Sequence, residues 1–249
     1  MPRHSERLGF IELSSSVMLT KEIPSAMPDD VIALFARVRF GGTASVDALE
    51  ELLAGQRLEE AASQLADAGV AVITFACTTG SLLHGAGYDV ELSNRLREAT
   101  GTLSTTTATA LLTALSTMGI SRLAVATPYV SELNLAERRF LEAAGVEVTA
   151  IQGLGITSDD EITRLEPSRV VALAREVSRP EPDALFLSCT NLATFESLRS
   201  LERELGMPVL SSNSVSAWHA LGLAGRSPRC PELGMLLSGH ISHPGNDAR

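Results

Sequence analysis

The feature that most constrains this chain is the alternation of short, unbroken apolar runs with longer amphipathic ones. Val70-Ala71-Val72-Ile73-Thr74-Phe75 and Ala184-Leu185-Phe186-Leu187 are of the first kind. Neither alternates apolar with polar, as a strand with one wet face would, so both faces must be covered. Runs of this character predict strands over 8–13, 31–40, 70–75, 102–105, 122–126, 147–151, 184–187 and 208–210. Apolar residues at helical spacing predict helices over 46–68, 108–118, 133–144, 168–177, 193–205 and 214–223. Gly69, Gly119, Gly145 and Gly206 stand where four of them must stop. Gly41-Gly42 and Gly85-Ala86-Gly87 read as turns, and the stretch 238–249 as a short frayed tail. Strand–helix alternation with doubly covered strands means an α/β fold with parallel sheets.

The chain also repeats itself. In the first half a strand leads to Ala76-Cys77-Thr78-Thr79-Gly80, then a helix, then Leu103-Ser104-Thr105-Thr106 before another helix. In the second half a strand leads to Ser188-Cys189-Thr190-Asn191-Leu192, then a helix, then Leu210-Ser211-Ser212-Asn213 before another helix. The order and punctuation predict two similar lobes, each with a four-stranded parallel sheet flanked by helices, related by a pseudo-twofold axis. Residues 1–117 with 214–249 would form one lobe and 118–213 the other, with the active site in the cleft between them.

Cys77 and Cys189 take their meaning from that repeat. Each falls where a strand of an open parallel sheet ends, the place where ligands bind in such folds. A free cysteine is more often an inert core thiol, but two at equivalent strand ends, flanked by Thr, Ser and Asn, point to a site. A following helix N-terminus would draw a thiol's pKa down from about 8.5 toward neutrality. Its free N–H groups would hold a carboxylate or an enediolate. With the lobes face to face, a thiolate on one side is nucleophile or base and a thiol on the other is proton donor. Such a pair suits isomerisation or racemisation beside a carboxylate without a cofactor. Tyr129, after Thr127-Pro128, and Ser14-Ser15-Ser16, after the first strand, are further candidates for the same cleft. Cys230, between Arg229 and Pro231, lacks such a setting and reads as structural.

Composition narrows the partners. The net charge of −10 over 249 residues repels phosphate backbones, which argues against nucleic acid. No apolar run approaches the ~18–20 residues that cross a bilayer. The start, Met1 to Arg7, resembles no signal peptide, so the expectation is a cytoplasmic protein. Three cysteines do not suggest a disulfide framework. The histidines show no metal-ligand spacing, Gly153-Leu154-Gly155 is too short for a dinucleotide fingerprint, and no P-loop occurs. Neither metal nor cofactor is expected.

These motifs resemble the maleate isomerase and arylmalonate decarboxylase branch of the aspartate/glutamate racemase superfamily, including ectoine-utilisation proteins. The resemblance runs from Gly9 to about Trp218 and is carried by the two cysteine segments, by Thr127-Pro128-Tyr129, and by Gly206-Met207-Pro208-Val209-Leu210-Ser211-Ser212-Asn213. It implies that Cys77 attacks the double bond of a small unsaturated acid while Cys189 supplies or removes a proton. It further implies that Ser14, Ser15, Thr78, Thr79, Tyr129, Thr190 and Asn191 hold the substrate, and that the protein is a homo-oligomer. Arylmalonate decarboxylases keep the second cysteine and have glycine at the first position, so Cys77 speaks against that activity. A racemase using the same thiol pair stays open.

Two departures bear on the substrate. Where maleate isomerases carry a Pro-Ser-Asn-like segment, this chain has Leu13-Ser14-Ser15. Where they have a carboxylate-binding Asn, it reads Ile156-Thr157-Ser158-Asp159-Asp160. If Asp159 or Asp160 faces the ligand it repels a dicarboxylate, and a larger, less charged or amine-bearing substrate is indicated.

Overall fold

The computed structural model describes residues 5–179 and 181–246. Two four-stranded parallel sheets organise the chain. The first contains β1 (Glu6–Leu13), β2 (Val31–Val38), β3 (Val72–Phe75) and β4 (Leu103–Thr106), in the order β2-β1-β3-β4. The second contains β5 (Arg122–Thr127), β6 (Glu147–Gly153), β7 (Ala184–Leu187) and β8 (Val209–Ser211), in the order β6-β5-β7-β8. One order maps onto the other strand for strand, so the repeat seen in the sequence is a repeat of topology. The inner strands β3 and β7 are buried along their whole length, which explains their unbroken apolar runs.

Helices flank the sheets: α1 (Met18–Glu22), α2 (Val46–Leu53), α3 (Arg57–Asp67), α4 (Thr78–Leu82), α5 (Tyr88–Thr100), α6 (Thr107–Met118), α7 (Ser131–Ala143), α8 (Asp159–Thr163), α9 (Pro167–Val177), α10 (Phe195–Leu205) and α11 (Ser212–Leu223). The helix predicted over 46–68 is in fact two, α2 and α3. Between them Gly55 adopts φ +76°, a conformation that ends a helix. The carbonyls freed there are not left bare: the Arg95 guanidinium of α5 donates to Leu53 O at 3.1 Å and to Gly55 O, and pairs with Glu59 of α3.

α11 is buried on every side, as a helix enclosed by protein must be. It packs on α6 and β3 of the first half, and its start lies against β8. Its N-cap, Ser211, accepts from the Ser214 N–H while the Ser214 hydroxyl accepts from the Ser211 N–H, a closed capping box. Thr106 caps α6 at the equivalent place.

The frayed tail expected from residue 238 onward is corrected by the structure. Trp218 Nε1 donates to Ile241 O at 3.1 Å, and the buried His243 ring hydrogen-bonds His219 at 2.8 Å between Nε2 and Nδ1. His243 fills the space beside Gly222, where a Cβ would lie 2.1 Å from the imidazole. The tail is ordered because it covers the last open side of α11, and burial pushes His219 down to about 3. Residues 247–249 of that tail, and residues 1–4 at the other end, lie outside the described residues. Among the described residues no helix is long and apolar enough to cross a membrane.

Candidate active site

Cys77 stands two residues beyond the end of β3, and Cys189 two residues beyond the end of β7. Since β3 and β7 hold the same place in their sheets, the repeat delivers both thiols to one cavity. Its polar wall is Ser16, Cys77, Thr78, Thr79, Tyr129, Asp159, Cys189, Thr190 and Asn191; its apolar wall is Leu13, Phe40, Ala44 and Leu49. The cavity holds about 20 Å³, room for a single water. A larger groove of about 660 Å³ beside α1 and the start of α10 contains neither thiol.

Two loops roof the cavity. The segment after β2 and the segment after β6 meet in an antiparallel bridge between Thr43 and Ser158. Ala44 N–H donates to Thr157 O at 2.6 Å, and Asp159 N–H donates to Gly42 O at 2.9 Å. A cavity this small under such a clamp admits an organic acid only when the clamp parts.

The two cysteine turns are joined to each other. Thr78 Oγ1 and Ser212 Oγ are 2.8 Å apart, and Ser212 Oγ accepts from the Cys189 N–H at 2.9 Å. Thr190 Oγ1 donates to Ala76 O at 3.2 Å, one residue before Cys77. Thr79 Oγ1 lies 4.0 Å from Cys77 Sγ. Gly80 carries no side chain because a Cβ there would sit 3.0 Å from that sulfur and 3.2 Å from the Phe75 ring; its N–H points at the thiol instead. On the other side, the Tyr129 hydroxyl and the Asn191 N–H, the latter at 3.3 Å, hydrogen-bond Cys189 Sγ.

The substrate-binding residues expected from the sequence divide into two groups. Thr78, Thr79, Tyr129, Thr190 and Asn191 line the cavity. The Asn191 side chain, however, is committed to the protein. Its oxygen accepts from Val17 N–H at 2.9 Å and Thr163 Oγ1 at 3.1 Å, and its nitrogen donates to Asp159 O at 3.0 Å. Only its main chain faces the thiol. Ser14 is turned away: it is exposed, and its hydroxyl accepts from Phe40 N–H at 3.0 Å. Ser15 reaches the site through Asp159, whose Oδ2 accepts its hydroxyl. The serine that lines the cavity is Ser16. The chain turns after Leu13, with the Ser16 N–H donating to Leu13 O at 2.9 Å, so that Ser14 faces outward while Ser16 lines the cavity.

Asp159, Ser212 and Glu137 were not among the expected site residues. Asp159 follows Ser158, which caps α8, and three acids in a first turn read as an ordinary helix start. Ser212 was visible only as part of a matched punctuation. Glu137 lies on the apolar stripe of α7, between Leu133 and Leu141, and is fully buried. A carboxylate at that spacing is a signal the periodicity alone offers. Its Oε2 accepts from Ser188 Oγ at 3.0 Å, while Oε1 has no partner.

The electrostatics reverse one expectation. Rather than being drawn toward neutrality, the thiols are pushed up, Cys77 to about 11 and Cys189 to about 12. Burial is the main cause; the Gly80 and Thr79 bonds at Cys77 and the Tyr129 bond at Cys189 oppose it, and the Asp159 charge adds a smaller push upward. The helix after Cys77 has five residues, and after Cys189 none begins until Phe195, so neither supplies a strong dipole. Burial also raises Tyr129 well above the usual phenol range, raises Asp159, and moves Glu137 to about 7.

Two similar α/β lobes close on one small chamber, and each brings a thiol to it from a matching strand end. The chain belongs to the arylmalonate decarboxylase family, whose family model, described as arylmalonate decarboxylase, matches residues 23–237. It is 35% identical to arylmalonate decarboxylase of Bordetella bronchiseptica over 179 residues, 71% of this chain and 75% of that protein. Its fold is similar to that of maleate isomerase from Pseudomonas putida S16 bound to maleate, with a TM-score of 0.89 and 25% identity over 94% of this chain and 98% of that one. A cysteine-to-serine variant of maleate cis–trans isomerase from Nocardia farcinica, with a covalently bound succinylcysteine intermediate, matches with a TM-score of 0.88 and 27% identity over the same shares.

Proposed function

We propose that this chain is a cofactor-independent isomerase of the maleate cis–trans type, acting on a small carboxylate with Cys77 as nucleophile and Cys189 as proton donor and acceptor. The observation that carries this reading is that both thiols line one small cavity. The thiolate at Cys77 forms while the clamp is open, because burial is what holds the thiol neutral in the closed cavity. The Gly80 N–H, aimed at the sulfur, then favours the charged form.

The sulfur adds to one alkene carbon, and the π electrons pass to the neighbouring carbon and its carboxylate as an enediolate. That addition already makes the former double bond single; Cys189 protonates the carbon, and the bond rotates. Cys189 takes the proton back, the double bond re-forms, and the carbon–sulfur bond breaks with its electrons returning to Cys77. Backbone N–H groups around Thr78, Thr79 and Thr190 hold the carboxylate without adding charge. The covalent succinylcysteine of the Nocardia farcinica relative supports an adduct of this kind.

A second reading, a racemase with the same pair, is favoured by one observation: the thiols enter the cavity from two different lobes and so approach its occupant from two sides. The experiment is proton NMR in deuterated water with maleate, amino acids, hydantoins and arylmalonates. Isomerisation at Cys77 and Cys189 predicts trans product and its loss in both Cys77→Ala and Cys189→Ala, with each variant folded. Full activity in either variant would sink the proposal. Deuterium at the α-carbon of an amino acid would establish the racemase, and carbon dioxide from an arylmalonate surviving Cys77→Gly the decarboxylase.

A further inference from the structure

The cavity's charge is one-sided. Among the described residues its wall carries no Lys, Arg or His, and Asp159 is its only carboxylate. Asp159 is 5% exposed and its backbone is pinned on three sides. Its N–H donates to Gly42 O, and its carbonyl accepts from Asn191 Nδ2 at 3.0 Å and Thr163 Oγ1 at 2.9 Å. The side chain is therefore held where it is, with one oxygen taken by Ser15. Its charge reaches both thiols.

We infer that Asp159 sets the substrate class of this site: an acid with one carboxylate and a second arm that donates hydrogen bonds, a primary amide or an ammonium group. The assignment rests on the two-thiol reading of the cavity. An ionised carboxylate only accepts hydrogen bonds. Whatever arm meets Asp159 must donate, or leave a buried acceptor facing an acceptor. A dicarboxylate such as maleate would bring two negative charges beside a third, in a space where no cation offsets them and little water screens them. In the two-thiol reading the carboxylate end lies at the main-chain N–H groups of the two cysteine turns.

The pairing has a second consequence. A donor arm on Asp159 offsets part of the negative charge that opposes ionisation of Cys77. The correct substrate thus activates its own nucleophile, and the wrong one is penalised in kcat as well as in KM.

The test compares maleate, its monoamide maleamate, and cis-4-aminobut-2-enoate. Affinity is measured on Cys77→Ala protein with Asp159 or with Asp159→Asn, and turnover on the wild type and on Asp159→Asn. Asp159 is expected to favour maleamate or the aminobutenoate over maleate by at least about tenfold in affinity, and Asp159→Asn to level or invert that order. Equal or tighter binding of maleate to the Asp159 protein would overturn the assignment, and so would a preference that Asp159→Asn leaves unchanged. Should Asp159→Asn not fold, the preference of the Asp159 protein decides by itself. If the order inverts but no acid is turned over, the isomerase reading falls and the Asp159 assignment stands. If maleate is isomerised as well as maleamate, the reverse holds.

Discussion

The turn at Cys77 and the turn at Cys189 occupy the same place in two copies of one topology, yet they are built differently. Cys77 has φ −144°, ordinary extended backbone that any residue adopts, and its thiol meets the Gly80 N–H and, at 4.0 Å, the Thr79 hydroxyl. Cys189 has φ +143°, a region that L residues avoid at a cost of about 1–3 kcal/mol. Its thiol receives the Tyr129 hydroxyl and the Asn191 N–H, and its own N–H is tied to Ser212. Before Cys77 stands Ala76; before Cys189 stands Ser188, which donates to the buried Glu137. Equal position brings the two thiols together in unequal surroundings. In the proposed reaction the thiol on relaxed backbone attacks carbon, and the one on strained backbone, with a phenol beside it, holds and returns a proton.

The carboxylate behind Cys189 offers the largest handle on this difference. Glu137 titrates near 7 in the folded protein rather than at the usual carboxyl value of 4.5. A raised carboxyl pKa means that the folded state binds the proton more tightly than the unfolded one. Its contribution is fully present below about pH 4.5 and is lost as the pH rises through about 7, by up to about 3 kcal/mol for a shift of this size. Glu137→Gln is expected to flatten that fall in urea titrations run from pH 4.5 to 8. Other buried carboxyls with raised values, Glu12, Glu22 and Asp159, will leave a residual slope. An unchanged slope would remove Glu137 from the titrating set. Before Cys77 the matching position is Ala76, which has no hydroxyl to bond a carboxyl as Ser188 does.

A smaller effect separates the backbones. At position 189 glycine relieves the positive φ, so Cys189→Gly is expected to be more stable than Cys189→Ala by about 1 kcal/mol. At position 77 the order inverts, with Cys77→Ala above Cys77→Gly by about 0.5–1 kcal/mol, because glycine there only adds unfolded-state freedom. Denaturant midpoints of the four variants check this. The same order at both positions would mean that the two turns are alike after all.

Much of the fold is legible in the sequence because burial on both faces writes itself as unbroken apolar runs. All eight predicted strands are present, shifted by at most two residues at most ends. The break at Gly55 escaped because a lone glycine inside a helical pattern does not reveal Arg95, distant in the chain, that satisfies the freed carbonyls. The tail from residue 238 looked free because its partner, the far side of α11, exists only once α11 is placed. At the site, the residue types and their convergence were readable, but their electrostatics were not. Proximity to a helix start suggested lowered thiols, whereas desolvation depends on how tightly the loops at Thr43 and Ser158 close. Ser14 was misplaced because the chain turns directly after Leu13, and Asp159 was visible only as a departure from a pattern, with its direction unknown.

The unequal pair is tested most directly by intact-protein and peptide mass spectrometry of Cys189→Ser and Cys77→Ser proteins incubated with maleamate and with maleate. The account predicts that Cys189→Ser accumulates an adduct of one acid on Cys77, because the thiol on relaxed backbone attacks and the partner that completes the cycle is gone. It predicts none on Cys189 in Cys77→Ser. An adduct on Cys189 in Cys77→Ser, with Cys77 unmodified in Cys189→Ser, would contradict it.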